Sequence, residues 1–256
     1  MIKDVLTRLG DGATPSAVEV GRLSGLSTSE MAEFLASWSV IPAERRRAIL
    51  RVAIDLAEND VHVDFGSLFK AALTDSDASV RAAAIEGLWE DEEYRTADQL
   101  ARMLRDDPDE QVREAAALGL ARFATLVEEG KLYAPAAQRV RDALMTAARD
   151  DRESVTVRRR VLEALGVLSE PQVGDMIAAA YADADPRMRA SAIYAMGRAA
   201  DERWLTTILQ ELENDDPELR FESARAAGRL GSSRVVVPLI TLLGYSCGLQ
   251  WNTKVC

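Results

Sequence analysis

The sequence predicts an all-α chain wound as a right-handed α-α superhelix, a solenoid of stacked helix pairs, and three features predict it. An apolar residue followed by arginine recurs five times, at Val80-Arg81, Val112-Arg113, Val157-Arg158, Met188-Arg189 and Leu219-Arg220. An acidic turn precedes each of these arginines, and an Ala-rich stretch follows each one. The arginines lie 32, 45, 31 and 31 residues apart. Self-similarity at such a period marks a stack in which every unit buries its apolar face on its neighbours.

One unit is a helix, an acidic turn and a second helix. The turns are Asp75-Ser76-Asp77, Asp106-Asp107-Pro108-Asp109, Asp150-Asp151, Asp183-Ala184-Asp185-Pro186 and Asp215-Asp216-Pro217. Aspartate caps free backbone N–H groups and proline suits the first helical position, so Asp185-Pro186 and Asp216-Pro217 open helices. Amphipathic first helices stand upstream at Leu100 to Leu104, Val140 to Ala147, Met176 to Tyr181 and Leu205 to Leu212. Six places after each arginine comes a small residue, Gly87, Gly119, Ala164, Ala195 or Ala226, which lets helices approach closely. The arginines beside the turn aspartates are expected to form a ladder, each guanidinium bonding an acid or a carbonyl in an adjacent turn.

Asp-Asp-Pro, then Val/Leu-Arg, an Ala-rich helix and Leu-Gly resembles a HEAT repeat, in the short form also found in phycobilisome lyases. The resemblance covers roughly residues 66–243. It implies a HEAT-like solenoid of about five helix-pair repeats, with the second helices lining the concave side. The aromatic and proline pattern of tetratricopeptide arrays is missing, as is the Thr-Pro-Leu-His of ankyrin repeats.

Residues 1–65 lack the period and read as an N-terminal helical cap. Ser27-Thr28-Ser29-Glu30 is a capping box before Met31, Phe34, Leu35 and Trp38, and Pro42-Ala43-Glu44 opens a helix carrying Ile49, Leu50, Ala53 and Ile54. The step of 45 contains an insertion, with a prolonged second helix, a turn at Gly130 and a lengthened first helix after Pro135. Residues 66–243 form the solenoid, and Arg234 to Leu243 begin an incomplete sixth repeat. Residues 244–256 hold both cysteines, Cys247 and Cys256, and no acid. This atypical tail reads either as a special C-terminal cap or thiol site, or as a truncated or frame-shifted end.

Composition narrows the function. A net charge of −11 disfavours nucleic acid, which needs a basic face to displace counterions. No apolar run approaches the roughly 20 residues of a membrane span, and the start lacks the apolar core of a signal peptide, so a cytoplasmic location is expected. His62 is the single histidine. No His-Glu pair of the kind iron-binding HEAT-repeat hydroxylases use occurs, nor a nucleophile elbow or phosphate loop. No catalytic residue, metal or cofactor is assigned.

The chain therefore reads as a non-catalytic scaffold that binds a protein or peptide on its concave face. Residues one and five places after each arginine share a helical face. From that stripe come the candidate partner-binding residues Glu86, Glu114, Arg159, Glu163, Tyr194, Phe221 and Arg225, with Trp89 beside it. Trp89 and Tyr194 are the expected exposed anchors. Self-association through the C-terminal end is a further expectation. The resemblance also implies an alternative, a bilin lyase-like or chaperone-like subunit acting on a chromophore protein.

Overall fold

The computed structural model describes residues 2–11 and 14–241, and every regular element among them is helical. The chain divides into two compact units, Met1–Phe123 with Leu132–Ala143, and Ala124–Lys131 with Leu144–Cys256. The first unit contains α1 (Ile2–Asp11), α2 (Ala17–Gly21), α3 (Thr28–Trp38), α4 (Ala43–Asn59), α5 (Gly66–Ala72), α6 (Ala78–Gly87) and α7 (Tyr94–Asp106). The division falls within α8 (Glu110–Glu128) and α9 (Ala134–Ala148). The second unit continues with α10 (Val155–Leu165), α11 (Pro171–Tyr181), α12 (Pro186–Ala199), α13 (Leu205–Glu211) and α14 (Pro217–Leu230). The tail at 244–256 lies outside the described residues.

The expected α-α solenoid class is what forms. The turns nucleate the second helices as predicted: Asp77, Asp185 and Asp216 each accept a backbone N–H from the first turn of the helix they open. Ser27 and Glu30 form the capping box of α3. The insertion takes the predicted course, with α8 running on to Glu128, a left-handed turn at Gly130 with φ of 67°, and a long α9.

Stacking follows from small residues. In the first unit α4 packs on α6, and in the second α10 packs on α12 and α12 on α14. A Cβ added at Gly166 would stand 2.9 Å from the Ala195 Cα, and one at Gly197 2.6 Å from the Ala226 Cα. These helices therefore touch backbone to backbone. A Cβ at Gly87 would meet the Phe69 ring at 2.4 Å, so that glycine seats a first-helix aromatic instead. Rows of wholly buried side chains, among them Leu50, Ile85, Leu120, Val161, Ile193 and Ala226, fill the space between helices.

The arginine ladder is present in altered form. Arg81 Nη1 donates to the carbonyls of Asp75 (2.9 Å) and Ser76 (3.3 Å) in its own turn. Arg113 does the same to Asp107 and Pro108, and Arg220 to Asn214 and Asp215. The first contact of each guanidinium is thus the turn it follows, because a side chain in the first helical turn points back toward the helix N-terminus. The link to a neighbouring turn is additional: Arg81 Nε and Nη2 grip both oxygens of Asp107 at 2.9 and 2.7 Å.

The residue six places before the arginine organises this unit. Asp75, Asp107, Asp183 and Asn214 each accept, on a side-chain oxygen, the backbone N–H two residues on, which locks the turn. Arg46 extends the ladder into the N-terminal region: it donates to the Ile41 carbonyl at 2.6 Å and to Asp75 Oδ1 at 2.7 Å. Trp38 Nε1 occupies the other Asp75 oxygen at 2.8 Å. Arg46 and Trp38 thereby tie α4 and α3 to the turn before α6, and α1 and α2 pack against α3 and α4. In the second unit the ladder weakens. No hydrogen bond joins the Arg158 side chain to a described residue, and the place six before it holds Arg152, whose side chain cannot accept the turn-locking N–H that Asp75, Asp107, Asp183 and Asn214 accept. Arg189 instead lies 3.8 Å from Glu211, which is buried and accepts from the Tyr181 hydroxyl and from Asn214.

Candidate functional site

Each unit carries its own part of the stripe. In the first, the second helices α4, α6 and α8 enclose a groove of about 580 Å³. Ala82, Ile85, Ala115 and Gly119 line it as small or buried residues, while Trp89 and Leu118 are 47% and 56% exposed. Small residues on a helix face leave a channel, and bulky ones at its edge supply apolar contact area. Glu86 and Glu114 lie in the same groove. Glu86 pairs with Arg51 at 2.5 Å across α4 and α6, and Arg122 pairs with Glu92 at 2.5 Å.

In the second unit the stripe residues are engaged with one another. Arg159 Nε donates to Ser191 Oγ at 2.9 Å, and that hydroxyl donates to Glu163 Oε1 at 2.6 Å. Arg160 Nη1 donates to the other Glu163 oxygen at 3.0 Å. Arg225 lies 3.5 Å from Glu222 and stacks its guanidinium 4.7 Å from the centre of the Tyr194 ring, with Arg229 at 4.6 Å. Two guanidiniums on one aromatic ring are a cation–π arrangement that fixes the ring. Burial raises the Tyr194 phenol, but hydrogen bonds and charge from Arg229 and Arg198 outweigh it and hold the group below its ordinary value. Burial pushes the Glu222 carboxyl up, and the nearby Glu163 charge adds to this against the pull of Arg225.

Of the predicted residues, the structure brings Glu86, Trp89 and Glu114 together in the first unit. It links Arg159 to Glu163 through Ser191, and Tyr194 to Arg225 by stacking. Tyr194, expected as an exposed anchor, is half-buried under its two arginines, whereas Phe221 is 64% exposed on α14. Sequence reasoning missed Arg47, Arg51, Gln111 and Arg122 in the first groove. The first two sit on α4, where no Val-Arg signal marks the repeat. Gln111 and Arg122 share the face of Glu114 and Leu118 at helical spacing. Among the described residues no group of three or more His, Cys, Asp or Glu is placed to hold a metal ion. No helix among them is long and apolar enough to cross a membrane.

The family profile for HEAT repeats matches residues 67–131 and 174–247, more than half of the chain. The chain belongs to the HEAT-repeat family. Both stretches of HEAT match hold the signature of acidic turn, apolar residue and arginine, at Arg81, Arg113, Arg189 and Arg220. Similar solved structures include an engineered protein at 16% identity, with 90% of this chain and 96% of that one covered and a TM-score of 0.42. A designed armadillo repeat protein in complex with the peptide (KR)4 is 13% identical, with 90% and 99% covered and a TM-score of 0.39. A computationally designed armadillo repeat protein for modular peptide recognition is 14% identical, with 90% and 100% covered and a TM-score of 0.40. No curated protein matches.

Proposed function

We propose that this HEAT-repeat protein is a non-catalytic scaffold that holds protein or peptide segments on the faces of its second helices. The observation that carries the reading is the groove over α4, α6 and α8, where Trp89 and Leu118 stand exposed beside small floor residues. Exposed aromatic and apolar side chains at the edge of a channel are the usual anchors of an interface. The second unit, taken by itself, offers exposed Phe221 and Arg225 on α14 and the preorganised Glu163 and Arg159 network on α10. A net charge of −11 supports a protein partner over a nucleic acid.

The test is capture. A Trp89→Ala, Leu118→Ala variant keeps its helical circular dichroism and loses the partner recovered by the wild-type chain and identified by mass spectrometry. Arg102→Glu, on the exposed side of first helix α7, leaves capture intact. Retention by the groove variant together with loss in Arg102→Glu assigns binding to the other side and sinks the reading. Self-association is proposed through the C-terminal end, where Val236, Val237 and Ile240 are 50%, 71% and 62% exposed.

A further inference from the structure

The second unit gathers three arginines around one phenol. α12 and α14 touch where a Cβ at Gly197 would stand 2.6 Å from the Ala226 Cα, and Arg198 and Arg225 are the chain neighbours of those two residues. Tyr194 and Arg198, four apart on α12, share a helical face, as do Arg225 and Arg229 on α14. The backbone contact therefore brings the two pairs together. Arg225 and Arg229 stand 4.7 and 4.6 Å from the centre of the Tyr194 ring, and Arg229 and Arg198 hydrogen-bond its phenol. Arg198 also donates to Thr125 Oγ1 at 2.8 Å.

Like charges four apart on a helix repel, so a negative group placed among these guanidiniums lowers their energy. Glu222 supplies only part of it. It lies 3.5 Å from Arg225, but burial pushes its carboxyl up and so works against its charged form. Arg229 forms no ion pair with a described residue. Arg225 and Arg229 are both exposed, so an anion from solvent can reach them. The chain as a whole is acidic, but at physiological ionic strength a Debye length of about 8 Å screens distant carboxylates.

The donors are also positioned in advance. A guanidinium held over a ring is fixed without using its N–H groups, which lowers the ordering cost of binding. The local field already favours negative charge: burial raises the Tyr194 phenol, yet Arg229 and Arg198 hold it below its ordinary value. A carboxylate matches the fork of one guanidinium, whereas a phosphate carries more charge and has oxygens for several. We propose that Arg225 and Arg229, with Arg198 beside them, form a binding site for a phosphate group, either free or carried on a phosphorylated side chain. The site does not rest on the scaffold reading, because a free phosphate would satisfy it.

Isothermal titration calorimetry of the full chain at pH 7.5, where a phosphate monoester carries close to two charges, tests this with inorganic phosphate and with N-acetyl-phosphoserine amide. Saturable binding at a single site is expected. Arg229→Gln and Arg225→Gln, each checked by circular dichroism to be folded, should weaken it by roughly tenfold or more, the order lost with one charged hydrogen-bond partner. Glu222→Gln should strengthen it, because the neighbouring carboxylate repels the anion. Arg187→Gln, which removes an exposed arginine already paired with Asp185, should leave it unchanged. Tighter binding of phosphoserine than of phosphate assigns the group to a phosphorylated partner, and equal or weaker binding assigns it to a free phosphate. Heat that never saturates, wild-type affinity in Arg229→Gln, or an equal loss in Arg229→Gln and Arg187→Gln overturns the site.

Discussion

Replacing Arg81 by alanine should cost about 3 to 4 kcal/mol of stability. The side chain is 13% exposed and donates four hydrogen bonds, two to the carboxylate of Asp107 and two to the carbonyls of Asp75 and Ser76. Its removal leaves Asp107, 9% exposed, with the Asp109 N–H as its remaining partner in this network. Breaking a buried pair by deleting one member costs about 3 to 5 kcal/mol, because the other charge stays desolvated. Water can reach part of this turn, so the lower half of that range is expected, with orphaned carbonyls adding about 1 kcal/mol each only where fully buried. Arg81→Lys keeps the charge but loses the two-pronged grip, and should fall between. Arg105, which grips Asp106 with the same geometry but on the open surface, is the control, and Arg105→Ala should change nothing measurable. Urea unfolding followed by circular dichroism reads all three. If Arg81→Ala unfolds at the same urea concentration as Arg105→Ala, the ladder does not hold the stack.

Gly197→Ala should destabilise by about 1 to 3 kcal/mol, because its methyl would press on the Ala226 backbone at 2.6 Å. Gly228→Ala meets no described atom within 4 Å and should stabilise α14 by about 0.5 to 1 kcal/mol, so thermal melts of the two variants should move in opposite directions. Glu222 has a raised carboxyl pKa, so the folded state holds its proton more tightly than the unfolded one and stability falls as pH rises through the folded value. Glu222→Gln should raise the melting temperature at neutral pH, with the gain shrinking toward the ordinary carboxylate range; an equal gain at every pH would refute the assignment. Val237→Asp should abolish any concentration-dependent dimer seen by sedimentation, and a dimer unchanged in that variant would remove the C-terminal end as its interface.

The helix-pair class, the turn caps, the small contact positions and the insertion at Gly130 were all legible because each rests on local residue chemistry at a fixed spacing. Arg46 was hidden because its turn, Val40-Ile41-Pro42, contains no acid, and only the stacked α5–α6 turn supplies Asp75. The turn before Arg158 differs visibly from the others: Arg152 stands where they carry the Asp or Asn that locks the turn. Tyr194 misled for a different reason: its cover comes from Arg225 and Arg229 on the following second helix, and helical periodicity within one repeat says nothing about what the next repeat lays across it. Arg189, 33% exposed with a 3.8 Å ion pair, is for the same reason a weaker clamp than its place in the motif implies.

The segment from Asp75 to Arg81 holds a complete joint within one short stretch: a receptor for the arginine behind it, a lock on its own turn and a hook for the turn ahead. Asp107 to Arg113 repeats the receptor and the lock. A joint encoded so locally is portable. Transplanting Asp75 to Arg81 in place of Arg152 to Arg158 would give that turn a side-chain lock six places before its arginine, and the same cassette offers protein engineers a short connector for joining helix pairs from unrelated arrays.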